Sequence, residues 1–215
     1  MNGTQIIPAI LTDSTEEFVR LVHIFERAGV KRVHLDICDG VFVPTRTISG
    51  HEEIRRLDTP IEFDVHLMVA EPERACEPWR GTRASRMIVH VETVSDMETL
   101  VGHAHGCQKQ MGAAINPDTP MAKLEAVAGL TDFVQFMTVY PGAQGRSFVG
   151  EVLERIRLFR ANHPHMTIMA DGGITTATAP ECAAAGADAL VCGSSIVRDP
   201  DPAAALKRLQ ESVQR

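Results

Sequence analysis

Basic residues are in the minority. The 215-residue sequence carries 21 Lys and Arg against 28 Asp and Glu, a net charge of −7 at pH 7. A chain with no broad basic footprint is poorly suited to nucleic acid, so no nucleic-acid partner is expected. Long hydrophobic runs are missing too. None approaches the roughly 18 residues that span a bilayer, so no membrane partner is expected either. The opening residues, Met1-Asn2-Gly3-Thr4-Gln5, hold no positive segment and no long apolar stretch. That argues against a secretory signal and makes the cytoplasm the default location. The five cysteines (Cys38, Cys76, Cys107, Cys182 and Cys192) form no C-x-x-C pair. Their odd number and spacing argue against a disulfide framework or a cysteine-rich zinc site.

What remains is the composition of an ordinary globular chain, 44% hydrophobic and 23% charged. At about 150 residues per domain, this length makes one domain or two small ones. No linker, low-complexity tract or composition break divides it, so residues 1–215 are expected to form a single domain. Short apolar runs alternate with longer amphipathic ones. Strands are expected at 5–11, 32–36, 62–67, 86–90, 110–115, 132–137, 167–170 and 189–192. Helices are expected at 15–28, 52–57, 72–80, 96–105, 120–128, 150–163, 175–185 and 202–213. The first helix shows the pattern best, with Phe18, Leu21, Val22 and Phe25 at helical spacing and Thr15 at the cap. Gly29 and Gly186 stand where helices stop. Sequential strands separated by helices imply parallel pairing with right-handed crossovers. Eight such units predict a closed (β/α)8 TIM barrel. An open dinucleotide-binding sheet would announce itself with glycines after the first strand. Pro8-Ala9-Ile10-Leu11-Thr12-Asp13 has none.

Barrel active sites lie at the C-terminal ends of the strands. His34 and Asp36 are two apart and share one face of the second strand. His66 and Asp171 end the third and seventh. Taken singly, each is an ordinary hydrogen-bonded residue of a barrel mouth. Together they make a two-histidine, two-carboxylate set, suited to Zn²⁺, Fe²⁺, Mn²⁺ or Co²⁺ rather than Ca²⁺ or Mg²⁺. One divalent metal ion is therefore the expected cofactor. Asp171-Gly172-Gly173-Ile174 follows strand seven, and Cys192-Gly193-Ser194-Ser195-Ile196 follows strand eight. Loops in these two places form the common phosphate site of such barrels. The loop Tyr140-Pro141-Gly142-Ala143-Gln144-Gly145-Arg146-Ser147 is long and glycine-rich enough for a lid. Arg146 there either meets a phosphate or is simply solvated. His90 and Glu92 end strand four near the same rim, in reach of a supporting role.

These segments, in this order, resemble the ribulose-phosphate 3-epimerase family. The likeness runs nearly end to end. It includes His34-Leu35-Asp36-Ile37-Cys38-Asp39-Gly40-Val41-Phe42-Val43-Pro44, Asp64-Val65-His66-Leu67-Met68, His90-Val91-Glu92, Asn116-Pro117-Asp118-Thr119-Pro120, Met137-Thr138-Val139-Tyr140-Pro141-Gly142 and Asp171-Gly172-Gly173. The resemblance implies a barrel that interconverts D-ribulose 5-phosphate and D-xylulose 5-phosphate, and a homo-oligomer. It makes His34, Asp36, His66 and Asp171 the metal ligands, Asp36 the proton acceptor and Asp171 the proton donor. It places Gly142, Ala143, Gln144, Gly145, Gly172, Gly173, Gly193 and Ser194 around the substrate and its phosphate, with His66 beside them. Met68 and Met137 resemble the family's methionines over the sugar; plain core filling suits them equally.

The residue types fit that chemistry on their own terms. Epimerisation beside a ketone removes a proton from one face of C3 and returns it to the other. Two carboxylates can do this, and a divalent cation stabilises the charge of the enediolate between them. Departures from the family pattern bear on substrate choice. Ala9 stands where Ser is usual, Cys38 replaces Met, and Tyr140 replaces Asn, Glu or Asp. The lid reads Pro141-Gly142-Ala143-Gln144-Gly145 instead of Pro-Gly-Phe-Gly-Gly. Two alternatives follow: an epimerase of another ketose phosphate, such as a hexulose 6-phosphate, and a sugar-phosphate-binding barrel without catalysis. Barrels that decarboxylate orotidylate need a lysine between carboxylates placed like Asp36 and Asp39, and none is present.

Overall fold

The computed structural model describes residues 3–142 and 145–214. These form eight strands: β1 (Gln5–Ile10), β2 (Arg32–Cys38), β3 (Glu62–Met68), β4 (Ala84–His90), β5 (Gln110–Ile115), β6 (Phe133–Met137), β7 (Thr167–Asp171) and β8 (Ala189–Cys192). They close into a barrel in chain order, each parallel to both neighbours. The helices are α1 (Thr15–Arg27), α2 (His51–Arg56), α3 (Pro72–Ala75), α4 (Met97–Gly106), α5 (Met121–Ala128), α6 (Val152–Asn162), α7 (Thr178–Ala185), α8 (Ser194–Val197) and α9 (Pro202–Ser212). The (β/α)8 barrel expected from the sequence is the fold. No helix among the described residues is long and apolar enough to cross a membrane.

Strand alternation divides the side chains into two layers. Along β2, Val33, Leu35 and Ile37 face outward and join Phe18, Leu21, Val22 and Phe25 of α1 in the core between sheet and helices. His34, Asp36 and Cys38 face the other way. Inside the barrel, Ile7, Ala9, Ile88, Ala114, Phe133, Met169, Ala189 and Val191 make a second apolar cluster. Phe133 fills its centre because Gly112, paired with it across β5 and β6, leaves the space open. A Cβ on Gly112 would lie 2.3 Å from the Phe133 ring. At the N-terminal end of the barrel, buried Asp64 meets Arg32 at 2.5 Å and Arg86 at 3.7 Å. That leaves the polar side chains at the other end for chemistry.

Local differences from the sequence expectation have local causes. Ser14 caps α1, accepting from the Glu17 amide, rather than Thr15. Its hydroxyl sits three residues before a free amide of the first turn, which is what a cap requires. The helix expected at 72–80 is α3 followed by a separate 3₁₀ turn at Glu77–Trp79. Pro78 lacks the N–H that would continue an α-helix back to Arg74. The break lets Trp79 pack into the core.

Candidate active site

The C-terminal ends of the strands surround a cleft, and its floor is the His34, Asp36, His66 and Asp171 cluster. One ligand atom from each residue lies within 4.8 Å of all the others, and all four residues are buried. His66 Nδ1 is 3.0 Å from Asp36 Oδ1 and 3.4 Å from Asp171 Oδ2. His34 Nε2 lies 3.5 Å from Asp36 Oδ1 and 3.7 Å from Asp171 Oδ2. Both His34 ring nitrogens are buried without a hydrogen-bond partner among the described residues. Buried polar atoms are normally paired. A nitrogen left unpaired between two carboxylates, with a second imidazole beside it, fits a divalent cation. The donor set, two nitrogens and two carboxylates, also fits one.

The two carboxylates sit in opposed electrostatic states. Burial works against charge on Asp36, but the imidazoles of His34 and His66 beside it outweigh burial and hold its carboxyl below the ordinary range. Burial pushes Asp171 up to about 6; His34 pulls the other way, and the charge on Asp36 adds to the rise. The two carboxylates are thus held at different basicities, the asymmetry of an acid/base pair. Burial lowers the His34 pKa, yet Asp36 and Asp171 together raise it to about 8.

Gln135 was not singled out in the sequence. It lies on the inner face of β6 and is fully buried. Its Nε2 donates to Asp171 Oδ2 at 2.8 Å. The legible signal was a polar residue two before Met137 in an otherwise apolar strand, hence on the same inner face. His90 and Glu92 lie in line beyond His66. His90 Nε2 is 2.9 Å from His66 Nε2, and His90 Nδ1 is 3.1 Å from Glu92 Oε2.

Met68 and Met137 line the cleft together with Asp36 and Asp171. So do Gly142, Gly145, Arg146, Gly172, Gly173, Gly193 and Ser194. Ala143 and Gln144 lie outside the described residues. Gly172 has φ +106, and a Cβ there would meet Val139 Cγ2 at 2.3 Å, so only glycine fits this turn. The Thr45 hydroxyl donates to the Gly142 carbonyl and ties the β2–α2 loop to the loop after β6. Cys38 packs against Val43 and Met68. Burial, with Asp36 and Asp39 nearby, pushes its thiol up to about 12, and Cys38 is not part of the four-residue cluster.

The sequence profile of the ribulose-phosphate 3 epimerase family matches residues 5–197. The chain belongs to that family. Its members are isomerases that epimerise ribulose 5-phosphate. One relative is the cytoplasmic isoform of ribulose-phosphate 3-epimerase from Oryza sativa subsp. japonica, 31% identical over 217 residues. That match covers 99% of this chain and 95% of the rice protein. The ribulose-phosphate 3-epimerase of Synechocystis sp. is 34% identical, with 96% and 93% covered. Among solved structures, orotidine 5'-phosphate decarboxylase from Pyrococcus horikoshii OT3 superposes with a TM-score of 0.72 at 19% identity, covering 98% of this chain and 100% of that one. That last likeness concerns the barrel fold alone.

Proposed function

We propose that this epimerase acts on D-ribulose 5-phosphate at C3, with Asp36 taking the proton from one face and Asp171 returning one to the other. The observation that carries the reading is the placement of two buried carboxylates, Asp36 and Asp171, in one cluster with His34 and His66 at the floor of the cleft. His34, Asp36, His66 and Asp171 would hold one divalent cation, from the group Zn²⁺, Fe²⁺, Mn²⁺ and Co²⁺. When bound, it supplies positive charge beside oxygens on which negative charge develops. The buried floor excludes water from the reacting carbon, and Met68 and Met137 give it an adaptable apolar wall. Backbone N–H groups at Gly172, Gly173, Gly193 and Ser194 receive the phosphate. Gly142 and Gly145, which line the cleft, contact the sugar. We place the enzyme in the cytoplasm, as a single-domain homo-oligomer with no nucleic-acid partner.

The test is deuterium exchange. Metal-loaded protein is incubated with D-ribulose 5-phosphate in D₂O, and C3 is followed by NMR. Deuterium at C3 with growth of xylulose 5-phosphate is expected, and Asp36→Asn abolishes both. Exchange without the epimer would remove Asp171 from its role. No exchange would overturn the assignment for this substrate.

Ala9 supports a second reading. It lies in the barrel interior beside His34 in register, where the family carries a serine hydroxyl. A changed substrate contact there favours another ketose phosphate, such as a hexulose 6-phosphate. Relative kcat/KM on pentulose and hexulose phosphates separates the two.

A further inference from the structure

Behind the four-residue cluster runs a largely buried file of side chains that leads away from the substrate cleft. It starts at His66 on β3, passes through His90 at the end of β4, and ends at Glu92. The His66 and His90 rings are nearly coplanar, 20° apart with centroids separated by 5.0 Å, and they meet edge to edge at the two Nε2 atoms. Both rings are fully buried, and Phe42 packs on His90 with centroids 4.8 Å apart. Glu92 is fixed at the far end. One carboxylate oxygen faces His90 Nδ1, and the other accepts the Asn116 backbone N–H at 2.8 Å.

The polarity of this file follows from its Glu92 end. An ionised carboxylate only accepts hydrogen bonds, so Glu92 requires a proton on His90 Nδ1. A neutral His90 then presents a lone pair at Nε2. Only a donor can face that lone pair at 2.9 Å, so His66 carries its proton on Nε2. The remaining His66 nitrogen, Nδ1, then has its lone pair free for a cation held together with Asp36 and Asp171. That is the tautomer a cation between these residues needs.

We infer that His90 and Glu92 are positioning residues, which lock His66 in the tautomer and ring orientation that offers Nδ1 to the metal. The inference rests on the proposed metal site. Partners of this kind fix the orientation of a ligating imidazole and raise its basicity. Neither residue touches the cleft, so their effect passes through His66.

The test uses zinc alone as the probe, in the full-length protein. In ¹⁵N-histidine-labelled, zinc-loaded protein, long-range ¹H–¹⁵N correlation should show His66 protonated at Nε2 and His90 protonated at Nδ1. Chelator competition should show zinc affinity falling roughly 10–100-fold in Glu92→Gln and His90→Phe. His90→Gln keeps an acceptor oxygen for His66 and should recover part of the loss. Cobalt-loaded variants should show a shifted visible band, which a purely structural role would not produce. A proton on His90 Nε2, or unchanged zinc affinity in folded Glu92→Gln and His90→Phe, would overturn the inference while leaving the metal site standing. Failure of the wild-type protein to bind zinc or cobalt at all would overturn the metal site and the inference with it.

Discussion

Gln135 Nε2 donates to Asp171 Oδ2 at 2.8 Å, so β6 holds the carboxylate that ends β7. A hydrogen bond to a charged acceptor is worth about 1.5–3 kcal/mol. Gln135→Leu keeps the volume and removes the donor. It should lower kcat/KM by roughly one to two orders of magnitude, mostly through kcat. It should also raise the pKa of Asp171, because the lost bond favoured the charged form. Steady-state kinetics across pH would read both. An unchanged profile would mean that Gln135 only fills space.

Gln135 also marks the limit of what the sequence disclosed. Strand ends carrying His34, Asp36, His66 and Asp171 stood out because charged or imidazole groups interrupted apolar runs at the rim where such barrels do chemistry. Parallel strands buried on both faces give long apolar runs, so their number and order were readable as well. An amide in mid-strand shows its face by alternation but not its partner. Its meaning depends on which residue of the next strand lies beside it, and register is a property of the closed barrel. The polarity of the His66–His90–Glu92 file was hidden for the same reason. Spacing put His90 and Glu92 near the rim, but only the packed rings show which nitrogens meet.

Metal binding should be visible in stability before any turnover is measured. Ligand that binds only the folded state stabilises it by about 2.7 kcal/mol at one hundred times Kd. For a chain of this size each kcal/mol moves Tm by about 2–4 °C. Zinc should therefore raise Tm by roughly 5–10 °C at that excess, and a chelator should reverse it. His34→Gln removes the buried ring whose nitrogens lack partners and should abolish most of the shift. Differential scanning fluorimetry with and without zinc decides this. A full shift in His34→Gln would exclude His34 from the ligand set.

Acid stability should depend on Glu92. Burial opposes its charge, but His90, Thr119 and the Asn116 amide together hold its pKa at about 2 against an ordinary 4.5. A carboxyl depressed in the folded state contributes stability above its unfolded value, and that contribution fades as pH falls toward the folded one. The loss attributable to Glu92 should thus occur between pH 4.5 and about 2. Urea midpoints measured across this window should fall less steeply in Glu92→Gln than in wild type. Parallel curves would show that the carboxylate adds nothing to folding.

The barrel interior offers a last prediction, independent of catalysis. Gly112 and Phe133 are paired across β5 and β6, and a Cβ at 112 would come within 2.3 to 2.9 Å of three ring atoms. Phe133 is buried and has Arg86 above it, with the guanidinium 5.1 Å from the ring centroid, so the ring has little room to retreat. Overpacking of this kind costs about 1–3 kcal/mol. Gly112→Ala should lower Tm by roughly 2–12 °C on the scale for chains of this size. Phe133→Leu alone removes ring atoms and should also destabilise. In the double variant, the new methyl enters space that the ring vacated. The two losses should then combine to less than their sum, with a coupling of about 0.5–3 kcal/mol. Simple additivity in the double-mutant cycle would show that Gly112 is not what makes room for Phe133.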